Sequence, residues 1–315
     1  MPTLLISRTL PSTVLDAARA RYDVTLRDTS DPMTAAEVTE ALDTYDVILP
    51  TLGDQLTGDA IRAAGSKCQL IANFGVGFNH IDVGAAREKN LPVTNTPGAV
   101  TEATADIAMT LILMTARRAG EGERMVRSHS WTGWQPTQML GMHVSGKTIG
   151  IIGMGRIGQA IAQRCGLGFG CKIVFANRSQ KRISGAQQLD SIEAVAAVAD
   201  VVVVATPASP ETHHLIDAGV LKAMQKHAIL VNISRGDVID ETALINALQT
   251  EEIAGAGLDV YEQEPTVPDA LIGMENVTLL PHLGTNALEV RTQMGMMALD
   301  NINAHFDGKP LPNVV

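Results

Sequence analysis

The stretch that decides the fold is Thr148–Ala162, TIGIIGMGRIGQAIA. Its first five residues form a continuous apolar, β-branched run, which suits a parallel strand buried on both faces. The run enters Gly153-Met154-Gly155-Arg156-Ile157-Gly158 and then a helix-like segment. A glycine-x-glycine-x-x-glycine pattern means little alone. Between a strand and a helix, with another strand after it, it has the context its physics requires. Gly153 permits a tight turn, Gly155 lets the backbone approach a pyrophosphate, and Gly158 lets helix and strand pack closely. The helix that follows offers free N–H groups and a favourable dipole to phosphates, and Met154, Arg156 and Ile157 are expected beside the glycines as cofactor-binding residues.

Outward from this motif, short β-branched runs alternate with amphipathic stretches. On the C-terminal side, Lys172–Ala176, Asp200–Ala205, Ala228–Ile233, Gly255–Val260 and Val277–Leu280 read as further strands beside Thr148–Ile152. On the N-terminal side the candidates are Thr3–Ser7, Asp23–Arg27, Asp46–Pro50, Leu70–Phe74 and Pro92–Asn95. Helix-like stretches such as Ser12–Arg21 and Thr34–Thr44 lie between them, the latter with a cap expected at Asp31–Pro32. Strand–helix–strand repetition predicts α/β architecture with doubly wound parallel sheets. The longest helical pattern, Thr101–Arg127, reads as one helix connecting two domains. The stretch Ser128–Ser145 after it is turn-rich and holds both tryptophans, as functional or assembly elements do.

A chain of 315 residues is long for one core and suits two domains. Asp and Glu number 34 against 24 Lys and Arg, a formal net charge of −10, which argues against nucleic acid or an anionic membrane as partner. Aromatic residues at 3% are thin for base stacking. Three cysteines without a CxxC pair suggest reduced thiols, and no metal site is expected. No secretory signal and no membrane span are read, so a soluble cytoplasmic protein is expected.

Cofactor choice should be decided at the end of the next strand. An acid there would bond a ribose 2′-hydroxyl and select NAD. The chain has Asn177-Arg178-Ser179 instead: Asn and Ser can donate hydrogen bonds and Arg can pair with a 2′-phosphate. NADPH is therefore expected over NADH, with NADH possible. Three further strand ends carry Arg235, Glu264 and His282. Arg binds a carboxylate bidentately, His exchanges a proton with a carbonyl or hydroxyl oxygen, and Glu orients the imidazole and stabilises its cation. That set suits reduction of a small anionic carbonyl compound.

The chain resembles the D-isomer-specific 2-hydroxyacid dehydrogenases, in their glyoxylate/hydroxypyruvate reductase branch. The resemblance is carried by FGVGFNHID (Phe74–Asp82), NTPGAVTEATADIAM (Asn95–Met109), WTGW (Trp131–Trp134) and GKTIGIIGMGRIGQAIA (Gly146–Ala162). It continues through ILVNISRGDVIDETAL (Ile229–Leu244), AGAGLDVYEQEP (Ala254–Pro265) and VTLLPHLGTNALEVR (Val277–Arg291). It implies a flavodoxin-like substrate domain (1–98 plus 286–315) and a Rossmann cofactor domain (99–285), with a cleft between them. It also implies that Arg235 meets the substrate carboxylate and carbonyl, Glu264 supports the histidine, and His282 is the acid/base. The Val76 and Gly77 amides with the Leu52–Gly53 loop would hold the substrate carboxylate. Thr206, Pro207, Ile233, Asp259 and Gly284 would line the cofactor side. Trp134 would reach a partner subunit in a homodimer or serve plain dimer packing. Arg291 would approach the substrate or pair with an acid on its own helix.

The implied reaction is hydride reduction of glyoxylate or hydroxypyruvate to a D-2-hydroxy acid. Formate oxidation needs no proton acceptor, and retention of Glu264 argues against it. D-lactate or bulkier 2-oxoacid activity stays open, because small changes in the pocket decide it. So does a nucleotide-sensing, co-repressor-like binding role. The chain departs from the family at Cys165–Gly170, a glycine-rich turn one residue longer than usual, which should weaken the preceding helix end. His80 falls at a variable place and is assigned no role.

Overall fold

Two parallel sheets form in the computed structural model, which describes residues 1–315. The chain divides into two compact units, Met1–Val100 with Asn286–Val315, and Thr101–Thr285.

In the first unit, β1 (Thr3–Ile6), α1 (Ser12–Arg19), β2 (Asp23–Leu26), α2 (Ala35–Thr44) and β3 (Val47–Leu49) lead into α3 (Gly58–Ala63), β4 (Leu70–Ala72), α4 (Val83–Glu88) and β5 (Val93–Thr94). The strands pair in the order β2-β1-β3-β4-β5, all parallel. The order reverses between β1 and β3, so the loops leaving those strands diverge around a crevice where open α/β sheets place ligands. β3 and β4 are buried at every position, as their unbroken apolar runs predict, whereas the edge strand β2 alternates between exposed and half-buried residues. The C-terminal helix Leu288–Phe306 returns to this unit and packs on β4 and α1.

In the second unit, α5 (Thr101–Ala116) and α6 (Ala119–Arg127) precede β6 (Thr148–Ile152), α7 (Arg156–Gln163), β7 (Lys172–Ala176) and β8 (Ala186–Gln188). Then follow α8 (Ile192–Val198), β9 (Val201–Val204), α9 (Ala218–Ala223), β10 (Ile229–Asn232), α10 (Glu241–Gln249), β11 (Gly255–Leu258), α11 (Asp269–Ile272) and β12 (Val277–Leu279). The seven-stranded order is β12-β11-β10-β9-β6-β7-β8, reversing between β6 and β9. Two apolar clusters cover its faces, one around Val202, Leu230 and Leu248, the other around Leu111, Ile151 and Phe175.

Side chains start the helices as local chemistry dictates. Thr34, rather than Asp31–Pro32, caps α2: its Oγ1 accepts from Glu37 N, and Glu37 accepts in return from the Thr34 amide at 2.8 Å. Both sheets also begin alike. Asp46 accepts from the Thr3 amide and Asp200 from the Thr148 amide, each at 2.8 Å. The Thr3 amide holds the Asp46 carboxyl below its ordinary range. For Asp200 burial works upward, and the Thr148 amide and His227 outweigh it.

The structure differs from the sequence reading in further places. The stretch Thr101–Arg127 is two helices, because Arg118 takes a left-handed backbone (φ +52) and ends the first. β8 is a strand that no apolar run announced: an edge segment, Ala-Gln-Gln, needs no buried faces. The glycine-rich turn forms a π-helical turn, Arg164–Gly168, continuous with α7.

Candidate active site

The three motif glycines meet three different constraints. Gly153 has φ +98, and a Cβ there would lie 2.8 Å from the Ala205 carbonyl oxygen. A Cβ at Gly158 would sit 2.2 Å from the Gly153 oxygen, so any larger residue would push α7 off β6. Gly155 faces open space: a Cβ there would meet no atom within 4 Å. Gly155 also caps α7 without a side-chain bond, leaving the helix N–H groups available to an anion. This cradle fits a dinucleotide pyrophosphate. Arg156 is exposed beside it, Ile157 is half-buried, and the Met154 side chain is fully buried in the core.

Beyond β7, Asn177 accepts from the Met154 amide at 3.1 Å and donates to the Ser179 carbonyl and hydroxyl at 2.9 and 3.0 Å. It therefore ties its own loop to the glycine loop, while Arg178 and Ser179 stand exposed. Glu211 lies in the electrostatic reach of Arg178; its carboxyl is held low by the Ser209 hydroxyl first, with Arg178 adding to the effect. Thr206 and Pro207 leave β9 beside Gly153, and Ile233 is buried at the end of β10.

Arg235, Glu264 and His282 follow β10, β11 and β12, three neighbouring strands. His282 Nδ1 and Glu264 Oε2 are 2.8 Å apart. Glu264 Oε1 accepts from the Tyr261 amide at 3.1 Å. Burial pushes the Glu264 carboxyl up, but the bond and charge of His282, the Tyr261 amide and Arg235 bring it below its ordinary value. Arg235 is half-buried. Desolvation lowers its affinity for the proton, and the charges of Glu264 and Asp237 oppose this. Its Nη1 donates to the Ser234 carbonyl at 2.6 Å, and the Asn232 side chain donates to the Arg235 carbonyl at 2.9 Å. Gly236 is obligatory, since a Cβ there would fall 1.8 Å from the Tyr261 carbonyl carbon.

Asp259, expected on the cofactor side, is 1% exposed and gives both carboxylate oxygens to backbone amides: Leu283 at 2.6 Å and Gly284 at 2.8 Å. Its carbonyl accepts from the His282 amide at 2.9 Å. His282 has φ +54, a conformation that a non-glycine residue keeps only when its surroundings impose it. Asp259 supplies that constraint, and Thr104 Oγ1 donates a bond to the Gly284 carbonyl at 3.0 Å. A second pair, His214 Nε2 to Glu262 Oε1 at 2.8 Å, braces the same segment two residues before Glu264.

In the first unit, Asn73 donates to the Gly75 and Gly77 carbonyls at 3.1 and 3.0 Å, and Asn95 to the Val76 carbonyl at 2.8 Å. The Val76 and Gly77 amides themselves donate to no group within the unit. The Leu52–Gly53 turn is fixed from below: Arg8 donates to the Leu52 carbonyl at 2.7 Å, and buried Asp54 accepts from the Thr51 and Met33 amides. Arg291 lies with its Cζ 5.9 Å from the Phe74 ring centroid, at the start of the Val76–Gly77 turn. Sequence reasoning missed Asn73, Asn95 and Asp54. An Asn directly before a glycine-bearing turn was the available signal for the first.

Trp134 is 80% exposed and Trp131 54%, and α6 before them buries no residue. No helix is long and apolar enough to cross a membrane.

A glycine-loop sheet carrying a histidine–glutamate pair and an arginine on adjacent strand ends is the arrangement of a dinucleotide-dependent dehydrogenase. Residues 109–284 match the family model for the D-isomer specific 2-hydroxyacid dehydrogenase NAD binding domain. The glyoxylate reductase of Thermococcus gammatolerans is 38% identical over 321 residues, covering 100% of this chain and 96% of that protein. The glycerate dehydrogenase of Hyphomicrobium methylovorum is 36% identical, covering 97% and 96%. An NADPH-dependent glyoxylate/hydroxypyruvate reductase from Sinorhizobium meliloti, solved with NADP and malonate, has a TM-score of 0.89 at 33% identity, covering 100% of this chain and 96% of that one. The chain belongs to the D-isomer specific 2-hydroxyacid dehydrogenase family.

Proposed function

We propose that the protein is an NADPH-preferring reductase of small 2-oxoacids, glyoxylate and hydroxypyruvate foremost, giving D-2-hydroxy acids. The observation that carries this reading is the 2.8 Å His282–Glu264 pair with Arg235 on the neighbouring strand end. A pure nucleotide sensor has no need of that set.

Gly153, Gly155 and Gly158 with the Arg156 and Ile157 amides would hold the pyrophosphate, and Arg178 and Ser179 the 2′-phosphate, while Asn177, bonded to the Met154 amide, fixes their loop. Thr206, Pro207, Ile233 and Gly284 would line the rest of the cofactor, with Asp259 shaping the turn that carries Gly284. When bound, the nicotinamide supplies the hydride that reduces the carbonyl carbon. The chain's own residues manage charge and proton. Arg235 pairs with the substrate and stabilises negative charge developing on its oxygen. Glu264 accepts from Nδ1–H of His282 and leaves Nε2 for the substrate; in the imidazolium form Nε2–H gives its proton to that oxygen, and the ring is left neutral with Nδ1–H still on Glu264. The Val76 and Gly77 amides and the Leu52–Gly53 turn serve the substrate carboxylate, and Arg291 adds positive charge beside them.

The names and complexes of the relatives support this substrate and cofactor class. The absence of an acid at Asn177–Ser179 supports NADPH. A charge-assisted contact to the 2′-phosphate contributes about 1.5–3 kcal/mol, so kcat/KM on glyoxylate should favour NADPH over NADH by roughly tenfold or more. A clear NADH preference refutes the cofactor choice.

The exposed Trp131 and Trp134, next to a helix that buries nothing, suit contact with a second copy. Light scattering should give a particle of about twice 33.4 kDa. A monomer at every concentration would remove the homodimer and the role of Trp134 in it.

A further inference from the structure

Gln188 ends the edge strand β8 and stands in register beside Phe175 of β7. Its side chain is spent entirely on the backbone of the loop that follows β7. Oε1 accepts from the Lys181 amide at 2.8 Å, and Nε2 donates to the Asn177 carbonyl at 3.1 Å and the Ser179 carbonyl at 3.3 Å. One donor and two acceptors admit only one orientation of the glutamine amide, so side chain and loop fix each other.

Peptide geometry carries this inward. In a trans peptide the C=O and the next N–H point in opposite directions. Turning the Asn177 and Ser179 carbonyls toward Gln188 therefore turns the Arg178 and Gln180 amides away from it. Neither amide donates to a group of the protein. The same loop presents the Arg178 guanidinium and the Ser179 hydroxyl, contains no acid, and is tied through Asn177 to the Met154 amide. The loop thus offers amide, guanidinium and hydroxyl donors and carries no acid of its own, with the Glu211 carboxylate in electrostatic reach of Arg178, a set that suits a phosphate dianion.

We propose that Gln188 is the positioning residue that holds the Asn177–Ser179 loop ready for a 2′-phosphate and so sets the preference between the two nicotinamide dinucleotides. This rests on the reading that the loop takes that phosphate. Without Gln188 the loop must be ordered at the moment of binding, and only a ligand carrying the 2′-phosphate draws fully on that order.

The test is calorimetric titration of the full chain, without substrate or turnover, using adenosine 2′,5′-bisphosphate and adenosine 5′-monophosphate. Wild type should bind the bisphosphate more tightly. Gln188→Ala should weaken the bisphosphate roughly tenfold and leave the monophosphate within about twofold, with an unchanged melting temperature. Gln188→Glu keeps the length but sets a carboxylate against two carbonyls and near the phosphate, so its loss should be about tenfold greater again. If wild type discriminates and both variants discriminate equally well, the role of Gln188 is overturned while the loop reading stands. If wild type does not discriminate, the loop reading itself falls and the inference with it. Equal loss of both nucleotides in the variants would mark Gln188 as merely structural and overturn the proposal.

Discussion

Replacing His282 or Arg235 with Ala is expected to lower kcat/KM for a 2-oxoacid about a thousandfold or more, while NADPH binding stays nearly intact. Two separate effects lead there. A positioned general acid is worth about 10²–10⁴ in rate. A preorganised donor on developing negative charge is worth about 10²–10³, and Arg235 also carries the pairing with the substrate anion. The structure concentrates both effects. Arg235 is desolvated, so its charge acts with reduced screening, and its guanidinium is oriented by the Ser234 carbonyl. His282 has one ring nitrogen taken by Glu264, so a single nitrogen is left for the substrate. Steady-state kinetics with NADPH titrations on each variant measure both effects. Near-normal turnover in either variant would sink the mechanism, and loss of NADPH binding in equal proportion would move the residue to the cofactor.

Asp259→Ala should cost about 2–4 kcal/mol of stability and most of the activity together. Removing the carboxylate leaves the Leu283 and Gly284 amides without an acceptor, each at about 1–3 kcal/mol. One opposing effect reduces the sum. Burial raises the Asp259 carboxyl above its ordinary value, so the native protein bears a desolvation cost that the variant escapes. The two unsatisfied amides outweigh it, because the chain also loses what keeps His282 at φ +54. Thermal unfolding should show a midpoint lower by about 5–10 °C, with kcat reduced even well below that midpoint. A variant that is fully stable and active would show that Thr104 and the Asp259 backbone suffice to hold the turn.

Much of the site was legible because its chemistry is local or strand-borne. Glycines, an arginine, a glutamate and a histidine at the ends of apolar runs are visible as residue types, and parallel strands bring their carboxyl ends to one edge of a sheet. What was not legible depends on backbone choices and on partners that only folding brings together. The break at Arg118 is a backbone choice in a stretch whose composition suits a continuous helix. β8 exists because β7 offers an open edge, not because Ala186–Gln188 is apolar. That the Asp259 carboxylate accepts from amides 24 and 25 residues away, and so shapes the histidine turn, could not be read from its place after β11.

The amino-acid sequence by itself determined the two parallel sheets, the glycine loop and the family, and singled out Arg235, Glu264 and His282 as the candidate set. Hydrophobic periodicity and glycine stereochemistry act over a few residues, so they survive in a linear reading. Only the tertiary structure decided which side chains hold those residues in place: Asn73 and Asn95 under the Val76–Gly77 turn, Asp259 under His282, and Gln188 behind the loop after β7. A hydrogen bond needs distance and direction, and for side chains whose partners lie from 2 to 25 residues away folding alone supplies both. The motif at Thr148–Ala162 thus names a strand, a turn and a helix, while its tie through Met154 and Asn177 to Gln188 exists only once β6, β7 and β8 lie side by side.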